Sequence, residues 1–184
     1  MVSGGKVVGE DVITQDTFWA GVFIQVFLPC SLPVPAFGVI AGITEAQPSV
    51  EVIGHFLTQS VINGELVIID IDKESPALAV CIHQNSYPQE SVRGPQIFYF
   101  AHSKEAKKAA EVMQTELKNF DQEHAREIKG NTTYYMLKNT KSPIVIVECG
   151  FLSSPVEAGM LIDEAYQQKL AQAIGNGILK YVER

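Results

Sequence analysis

The sequence predicts an α/β fold with a mostly parallel sheet flanked by helices, and three observations support this class. Continuous apolar runs at 77–82 and 144–147 are typical of strands that are buried on both faces of a parallel sheet. A helical pattern of apolar residues lies between these runs, at 103–120, and a second one ends the chain at 166–181. Strands that alternate with helices along a chain indicate largely parallel pairing.

The composition excludes several classes of protein. With 184 residues, 46% of them apolar and 19% charged, the chain can form a packed core and is neither disordered nor a coiled coil. Its formal charge of −7 argues against a nucleic-acid partner, because phosphate binding needs a basic face. The cysteines at 30, 81 and 149 form no C-x-x-C pair, which favours a reducing compartment or a disulfide-free domain.

The distribution of charge divides the chain into two parts. Residues 1–80 contain two basic and nine acidic side chains and no arginine, which gives a net charge of −7. The remaining 12 of the 14 basic and 12 of the 21 acidic side chains lie in residues 81–184, where the net charge is zero. We therefore predict an atypical acidic and apolar segment at 1–70 and a second unit at 71–184.

The first part contains an apolar run at 18–28 that could be read as a membrane span or a signal peptide. The residues just before it are acidic, whereas a signal peptide begins with a basic region. Pro29 ends the run after eleven residues, whereas a membrane-spanning helix needs about 20 apolar residues. The sequence therefore favours a buried strand or short helix over membrane association.

A short helix is predicted at 50–62, because apolar residues recur there at helical spacing. Glu51 and His55 would share one face of that helix, where such a pair either binds zinc or makes a surface polar contact. Asn63-Gly64 is a turn signal, and a strand at 66–69 is predicted after it.

The second unit is easier to interpret. After the apolar run at 77–82 the sequence predicts another strand at 96–100, rich in aromatic and β-branched residues. Ser103 is a suitable N-cap for the following helix, which ends near Phe120. No element is predicted between that helix and the strand at 144–147.

Two ionisable residues are expected to close buried strands: His83 follows the run at 77–82, and Glu148 follows the run at 144–147. In open α/β sheets, ligands bind beyond the carboxyl ends of the strands, so both residues would face one crevice if their strands are neighbours. A neutral imidazole can bind a metal, and a desolvated carboxylate can act as a general base. Alternatively, each side chain only forms hydrogen bonds with the nearby backbone.

Several ordered motifs of the second unit belong together. They are Cys81-Ile82-His83-Gln84-Asn85-Ser86-Tyr87, Gly94-Pro95-Gln96-Ile97-Phe98-Tyr99, Pro143-Ile144-Val145-Ile146-Val147-Glu148-Cys149-Gly150-Phe151-Leu152-Ser153-Ser154-Pro155-Val156-Glu157-Ala158, and the tail at 166–178. In this order they resemble the zinc-dependent N-acetylmuramoyl-L-alanine amidases. The variant is most similar to the spore-cortex, germination-type branch, and the resemblance covers residues 70 to 184.

The resemblance implies a zinc-dependent peptidoglycan hydrolase that cleaves the amide between N-acetylmuramic acid and the L-alanine of the stem peptide. His83 matches a zinc ligand of the family, and Glu148 matches the catalytic glutamate that activates the zinc-bound water. Asn85 and Tyr87 fall in the family motif with a supporting role. The expected location is the cell wall or the spore envelope, although no clear signal peptide is present.

Two further tyrosines, Tyr134 and Tyr135, either border the substrate cleft or contribute only to packing. Asn131-Thr132-Thr133 matches an N-glycosylation acceptor, and the bacterial resemblance favours a chance match.

Residues 1–80 depart from the family, which opens with Asp-Pro-Gly-His-Gly-Gly at the end of a first strand and soon adds a ligand glutamate. Neither motif is present, and the segment around Lys6 is too weak a pattern for the lost strand. A catalytic zinc normally has three protein ligands, so the site is expected to be incomplete unless Glu51 or His55 replaces a missing ligand. We interpret 1–70 as foreign to the family, through a frame shift, a gene-model error or a rearrangement.

Two alternatives to an active metal hydrolase stay open, and the oligomeric state is not predicted. One is a catalytically dead cell-wall-binding or remnant protein that keeps part of the amidase sheet. The other is a cysteine hydrolase with Cys149 as nucleophile and His83 as base. Strand alternation argues against the second alternative, because it turns Cys149 away from the face that Glu148 occupies.

Overall fold

The computed structural model describes residues 71–73 and 75–183 in full, and the backbone of three strands at 6–7, 20–27 and 50–57. The described residues form seven strands and four main helices. The strands are β1 (Lys6–Val7), β2 (Ala20–Phe27), β3 (Val50–Leu57), β4 (Leu78–Asn85), β5 (Gln96–Phe100), β6 (Lys129–Asn131) and β7 (Ile144–Phe151). The helices are α1 (Lys104–Phe120), α2 (Tyr135–Asn139), α3 (Pro155–Leu161) and α4 (Glu164–Val182).

All seven strands join one mixed sheet in the order β1-β3-β2-β4-β7-β5-β6. Strands β1, β3, β2, β4 and β7 pair in parallel. Strand β5 is antiparallel to β7 and parallel to β6, so one edge of the sheet runs in the opposite direction. The α/β class and the mostly parallel sheet are thus confirmed, and strands from both sides of residue 70 lie in the same sheet.

In the first part of the chain, the structure both confirms and corrects the sequence-based elements. The apolar run at 18–28 contains strand β2, which agrees with the preference for a strand or short helix over a membrane span. The helix predicted at 50–62 is wrong, because residues 50–57 form β3 and pair with β2 along all eight residues. The run is rich in β-branched and aromatic residues, which suit a sheet, and the pairing overrides its helical spacing. The strand predicted at 66–69 lies outside the described residues.

Four smaller elements were also not predicted: the strands β1 and β6 and the helices α2 and α3. The segment around Lys6, which the sequence shows only as a weak pattern, forms the two-residue strand β1 beside β3. Strand β6 continues the sheet next to β5, and its three residues are too few to give a clear alternating pattern.

Alternating residues of the central strands build one core on each face of the sheet. On one face, Val80 and Ile82 of β4 and Val147 of β7 pack against α1 and α4. On the other face, Cys81 of β4 and Ile146 of β7 belong to a smaller core that includes α2 residue Leu137. This second face continues to the candidate site.

Helices α1 and α4 cover the first face, and the predicted Ser103 cap of α1 is confirmed. The Ser103 hydroxyl accepts a hydrogen bond from the backbone N–H of Ala106 at 3.1 Å and caps α1. Helix α4 begins after Asp163, whose carboxylate accepts from the Tyr166 N–H at 2.8 Å. No helix among the described residues is long and apolar enough to cross a membrane.

Candidate active site

His83 and Glu148 are direct register partners on the neighbouring parallel strands β4 and β7. The sequence places each residue at the end of its strand, and this detail is wrong. Both strands continue, to Asn85 and Phe151, because the hydrogen-bonded ladder resumes after a register shift. From His83 to Asn85, β4 advances by two residues while β7 advances by three, so a bulge begins directly after Glu148.

The side chains of His83 and Glu148 point to the same face of the sheet. His83 continues the series Ala79 and Cys81, and Glu148 continues the series Ile144 and Ile146, which all belong to the smaller core. Both ionisable groups therefore lie on the face of α2, opposite to α1 and α4. The sequence analysis expected the two residues to face one crevice if their strands were neighbours. Strands β4 and β7 are neighbours, so this condition is met.

Glu148 is a buried carboxylate, only 8% exposed. Its Oε2 atom is buried and has no hydrogen-bond partner among the described residues. Burial raises the pKa of the Glu148 carboxyl from 4.5 to about 7, because a low-dielectric environment disfavours the charged form. Such a group can take up and release a proton near neutral pH.

Burial has the opposite effect on the base beside it. It lowers the pKa of the half-buried His83 imidazole from 6.5 to about 4. The imidazole is therefore neutral at physiological pH, which is the form that binds a metal. The pair thus consists of a neutral ring and a carboxyl near its titration point.

Gln96 lies on the other side of Glu148 and was missed by the sequence analysis. It is the antiparallel register partner of Glu148 on β5, and its side chain is buried. Its Nε2 donates a 2.6 Å hydrogen bond to the Glu127 carbonyl oxygen. Glu148 is thus flanked by His83 on one strand and Gln96 on the next, an arrangement that depends on a strand order the sequence does not reveal.

A second buried carboxylate, Glu157 at the start of α3, holds the end of β7 in place. Its Oε2 accepts from the Phe151 N–H at 2.8 Å, and its Oε1 accepts from the Gly94 N–H at 2.9 Å. Glu157 therefore ties the bulged end of β7 to the loop between β4 and β5. Unlike Glu148, it has backbone donors for both oxygens, so we assign it a structural role.

Of the two tyrosines considered from the sequence, Tyr134 borders the site. Its ring packs against Phe98, with 5.5 Å between centroids, and Phe98 belongs to the core beneath the site. Burial, and then the negative charge of Glu148, raises the pKa of the Tyr134 hydroxyl. Tyr135, the first residue of α2, is half-exposed.

Asn131 holds Tyr134 in this position. Its Oδ1 accepts from the backbone N–H of Tyr134 at 2.6 Å and from that of Thr133 at 2.8 Å. This is an Asx-type turn, in which a side chain replaces a backbone acceptor. The Asn131-Thr132-Thr133 motif thus has a conformational role in the fold.

The motif residues Asn85 and Tyr87 lie just after His83: Asn85 is the last residue of β4, and Tyr87 lies in the loop that leaves this strand. The Asn85 carbonyl accepts from the Leu152 N–H at 2.9 Å. The Tyr87 N–H donates to the Ser153 hydroxyl at 2.9 Å, while its ring is half-exposed. These bonds join the ends of β4 and β7, which agrees with a supporting role.

The cysteine-hydrolase alternative is not supported. Cys149 is buried in the core against α1 and α4, on the opposite face from His83. Cys81 lies on the same face as His83 but is fully buried, and burial raises the pKa of its thiol to about 12. A buried thiol that stays protonated is a poor nucleophile.

The residues present fit a zinc site only in part. The neutral His83 imidazole suits a ligand, and the unpartnered Glu148 Oε2 suits a proton acceptor. However, no group of three His, Cys, Asp or Glu side chains that could hold a metal ion occurs in the part of the chain described. Residues Glu51 and His55 lie on β3, which β2 separates from β4, and their side chains are outside that part.

Comparisons with known proteins identify the family of this chain. Residues 61–180 match the family described as N-acetylmuramoyl-L-alanine amidase. The germination-specific N-acetylmuramoyl-L-alanine amidase of Bacillus subtilis is 35% identical over 111 residues, which are 60% of this chain and 47% of that protein. The chain thus spans about half the length of this curated relative.

Solved structures share the fold. An N-acetylmuramoyl-L-alanine amidase from Clostridium difficile 630 matches with a TM-score of 0.80 at 22% identity, over 91% of this chain and 98% of that one. The CwlD amidase from Clostridioides difficile, solved in complex with the GerS lipoprotein, matches with a TM-score of 0.76 at 26% identity, over 89% of this chain and 98% of that one. With the family match covering most of the sequence, the chain belongs to the N-acetylmuramoyl-L-alanine amidase family.

Proposed function

We propose that this chain is a peptidoglycan hydrolase that cleaves the amide between N-acetylmuramic acid and the L-alanine of the stem peptide. The observation that carries the proposal is the register pairing of His83 with the buried carboxyl of Glu148. The family match and the germination-specific relative name this bond. By analogy with that relative, the enzyme acts in the cell wall or the spore envelope during germination.

In this proposal Glu148 is the general base and then the general acid. Its raised pKa means that the carboxylate binds a proton more readily than an exposed one does. It takes a proton from the attacking water and later donates it to the leaving amine of L-alanine. The buried Oε2 has no competing hydrogen-bond donor among the described residues, so it is available for that proton.

His83 would hold zinc through its neutral imidazole. When bound, zinc supplies a Lewis acid that polarises an amide carbonyl and lowers the pKa of water from 15.7 to about 7. Any further ligands would have to come from side chains that the structure does not describe, among them those of Glu51 and His55. We propose that residues 71–184 form the unit that carries the family's motifs, and that residues 1–70 depart from these motifs in sequence although their strands join the same sheet.

A specific observation favours a second function, that of a catalytically dead cell-wall-binding protein. The described residues contain no three-ligand metal group, and the sequence lacks the first-strand motif of the family. In this case the chain keeps the amidase sheet and binds peptidoglycan without cutting it.

One experiment distinguishes the two functions. Purified peptidoglycan is incubated with the zinc-supplemented protein, and new amino termini on released stem peptides are labelled and identified. We expect L-alanine as the new amino terminus with the wild-type protein, and a loss of at least about 100-fold with Glu148→Gln, because a general base typically contributes about 10²- to 10⁴-fold. Glu111→Gln, which changes an exposed carboxylate on α1, is the matched control.

The same samples are also sedimented with insoluble peptidoglycan. Binding without any released peptide would reject the hydrolase and support the dead-binding alternative. Release that is unchanged in Glu148→Gln would reject the assigned role of this residue.

A further inference from the structure

Two of the three arginines in the chain meet beside the candidate active site. The arginines are Arg93, Arg126 and Arg184. Although Arg93 and Arg126 are 33 residues apart, Arg126 Nη1 contacts the Arg93 carbonyl oxygen at 3.5 Å. A protein with a net charge of −7 thus brings two fixed cations together at one place.

This place is linked to Glu148 through the start of β5 and through the end of β7. The Arg126 N–H donates to the Pro95 carbonyl at 3.1 Å, and Pro95 precedes Gln96, the register partner of Glu148. The Arg126 side chain extends over the Phe151 ring, with the guanidinium carbon 5.6 Å from the ring centre. Phe151 lies on β7 three residues after Glu148, so the guanidinium stands at the carboxyl end of the same strand.

The backbone at this place is closely packed. Gly94 has a φ of +101°, and a Cβ there would lie 1.6 Å from the His124 carbonyl oxygen. Only glycine fits this contact. The loop carrying Arg93 is therefore pressed against the segment carrying Arg126, and the juxtaposition of the two arginines is built into the fold.

A relay of side chains orients Arg93. The Asp121 carboxylate contacts His124 Nδ1 at 3.1 Å, and it also accepts the His124 backbone N–H at 3.0 Å. With Nδ1 donating to Asp121, the other ring nitrogen is left as an acceptor, and Arg93 Nη2 donates to it. Arg93 is thus fixed through one of its five N–H donors, and its other side-chain donors have no acceptor among the described residues.

Neither guanidinium forms an ion pair with a carboxylate within the described ranges, whereas five lysines there do. Arg126 Nε is buried and meets no hydrogen-bond acceptor among those residues. The neighbouring Glu123 is 85% exposed and lies 3.9 Å from His124 Nε2. A half-buried guanidinium with unused donors is suited to a planar anion, which it can bind in a bidentate manner.

We propose that Arg93 and Arg126 form a subsite for a carboxylate on the peptide side of the scissile amide. This inference rests on the proposed function and adds the group by which the peptide is recognised. A carboxylate one or two residues beyond the scissile bond lies roughly 3–7 Å further along an extended peptide. Glu148 and Phe151 are three residues apart on β7, a span of about 10 Å. A carboxylate roughly 7 Å beyond the scissile bond, together with a hydrogen bond of about 3 Å, covers this span while the amide lies at Glu148.

The test compares two substrates that differ only in charge: N-acetylmuramoyl-L-alanyl-D-glutamate and the same compound with its α-carboxyl group amidated. We expect the wild-type protein to prefer the acid by about 10-fold in kcat/KM, the typical effect of one charge-assisted contact. The difference should lie mainly in KM, because the contact is remote from the reacting atoms. Arg126→Met, which keeps an apolar stem over Phe151, should bring the ratio close to one.

Arg93→Gln is the second variant, because it leaves the packing on Phe151 intact if Arg126→Met does not fold. Lys169→Gln on α4 makes the same change in net charge at an exposed position and should keep the wild-type ratio. Thermal unfolding of each variant reports whether the fold is retained.

A binding measurement separates failure of this inference from failure of the proposed function. Isothermal titration compares the product peptide L-alanyl-D-glutamate with its amide, which needs no turnover. Cleavage of neither substrate rejects the proposed function, while preferential binding of the acid that both arginine variants lose still supports the subsite. If the wild-type protein binds or cleaves acid and amide equally, or if both variants keep the preference, the subsite is rejected.

Discussion

The imidazole of His83 and the carboxyl of Glu148 are placed side by side by two adjacent parallel strands, one residue before the ladder between these strands changes register. The two groups respond to the same burial in opposite directions: the pKa of His83 falls to about 4 and that of Glu148 rises to about 7. At neutral pH the imidazole is therefore uncharged and the carboxyl is close to half-ionised. This difference permits one group to bind a metal while the other transfers a proton.

The first prediction concerns stability against pH in metal-free, chelator-treated protein. The pKa of Glu148 is raised in the folded state. Its stabilising contribution to the free energy of unfolding is therefore full below pH 4.5 and is lost as the pH rises through 7. The free energy of unfolding of Glu148→Gln should therefore increase relative to that of the wild type as the pH rises. The increase should reach about 3 kcal/mol above pH 7, because each pKa unit corresponds to about 1.4 kcal/mol.

His83 should show the reverse dependence. Its folded-state pKa is lowered, so its contribution is present above pH 6.5 and is lost as the pH falls towards 4. His83→Asn should gain stability over the wild type only on the acid side. Urea denaturation from pH 4 to 8 gives both difference curves, and curves that run parallel to the wild type would contradict the assigned burial.

The second prediction concerns metal binding. If His83 is a zinc ligand, His83→Asn should weaken zinc binding by at least about 100-fold, since even loss of an outer-shell partner costs about 10- to 100-fold. Titration calorimetry with zinc, and metal content after dialysis, measure this without any activity assay. His102→Asn, at an exposed histidine outside the site, should bind zinc like the wild type. Equal affinity in wild type and His83→Asn would show that zinc binds elsewhere, and a wild-type protein without zinc would favour the dead-binding alternative.

Much of the second unit could be predicted from local sequence patterns. The apolar runs identify β4 and β7, and both ionisable residues follow directly from these runs. The Ser103 cap and an apolar stripe identify α1, and an apolar stripe alone identifies α4. These features depend on neighbouring residues, so one sequence contains enough information for them.

The remaining features depend on contacts between distant segments. The spacing at 50–57 fits a helix equally well, and only pairing with β2 makes this segment a strand. Likewise, no local pattern indicates that β5 pairs antiparallel with β7, which is what brings Gln96 beside Glu148. The meeting of Arg93 and Arg126 depends on the chain returning to the start of β5 after α1, which no local pattern indicates either.

The third prediction concerns the wall of the site formed by Tyr134. Asn131→Ala removes the acceptor for the backbone N–H groups of Thr133 and Tyr134, so the ring is no longer fixed against Phe98. We expect Asn131→Ala and Tyr134→Ala to lower kcat/KM by about 5- to 10-fold through KM, as expected for one aromatic contact. Asn131→Asp keeps the acceptor and Tyr134→Phe keeps the ring, so both should stay within about twofold of the wild type. Equal losses in the conservative and alanine variants would contradict a positioning role.

The fourth prediction tests the packing of the two helices that support the sheet. Gly177 of α4 faces α1 so closely that a Cβ would lie 2.8 Å from the Met113 Cα, and backbone cannot yield as a flexible side chain can. Gly177→Ala should therefore destabilise the fold by about 1–3 kcal/mol, the usual cost of overpacking, despite the better helix propensity of alanine.

Gly159→Ala in α3 is the matched control: a Cβ there meets nothing within 4 Å. That change should stabilise by about 0.4–1 kcal/mol, because it only reduces the freedom of the unfolded chain. Urea denaturation measures both, and a stabilising Gly177→Ala would show that α1 and α4 are further apart, which would also loosen the core beneath β4 and β7.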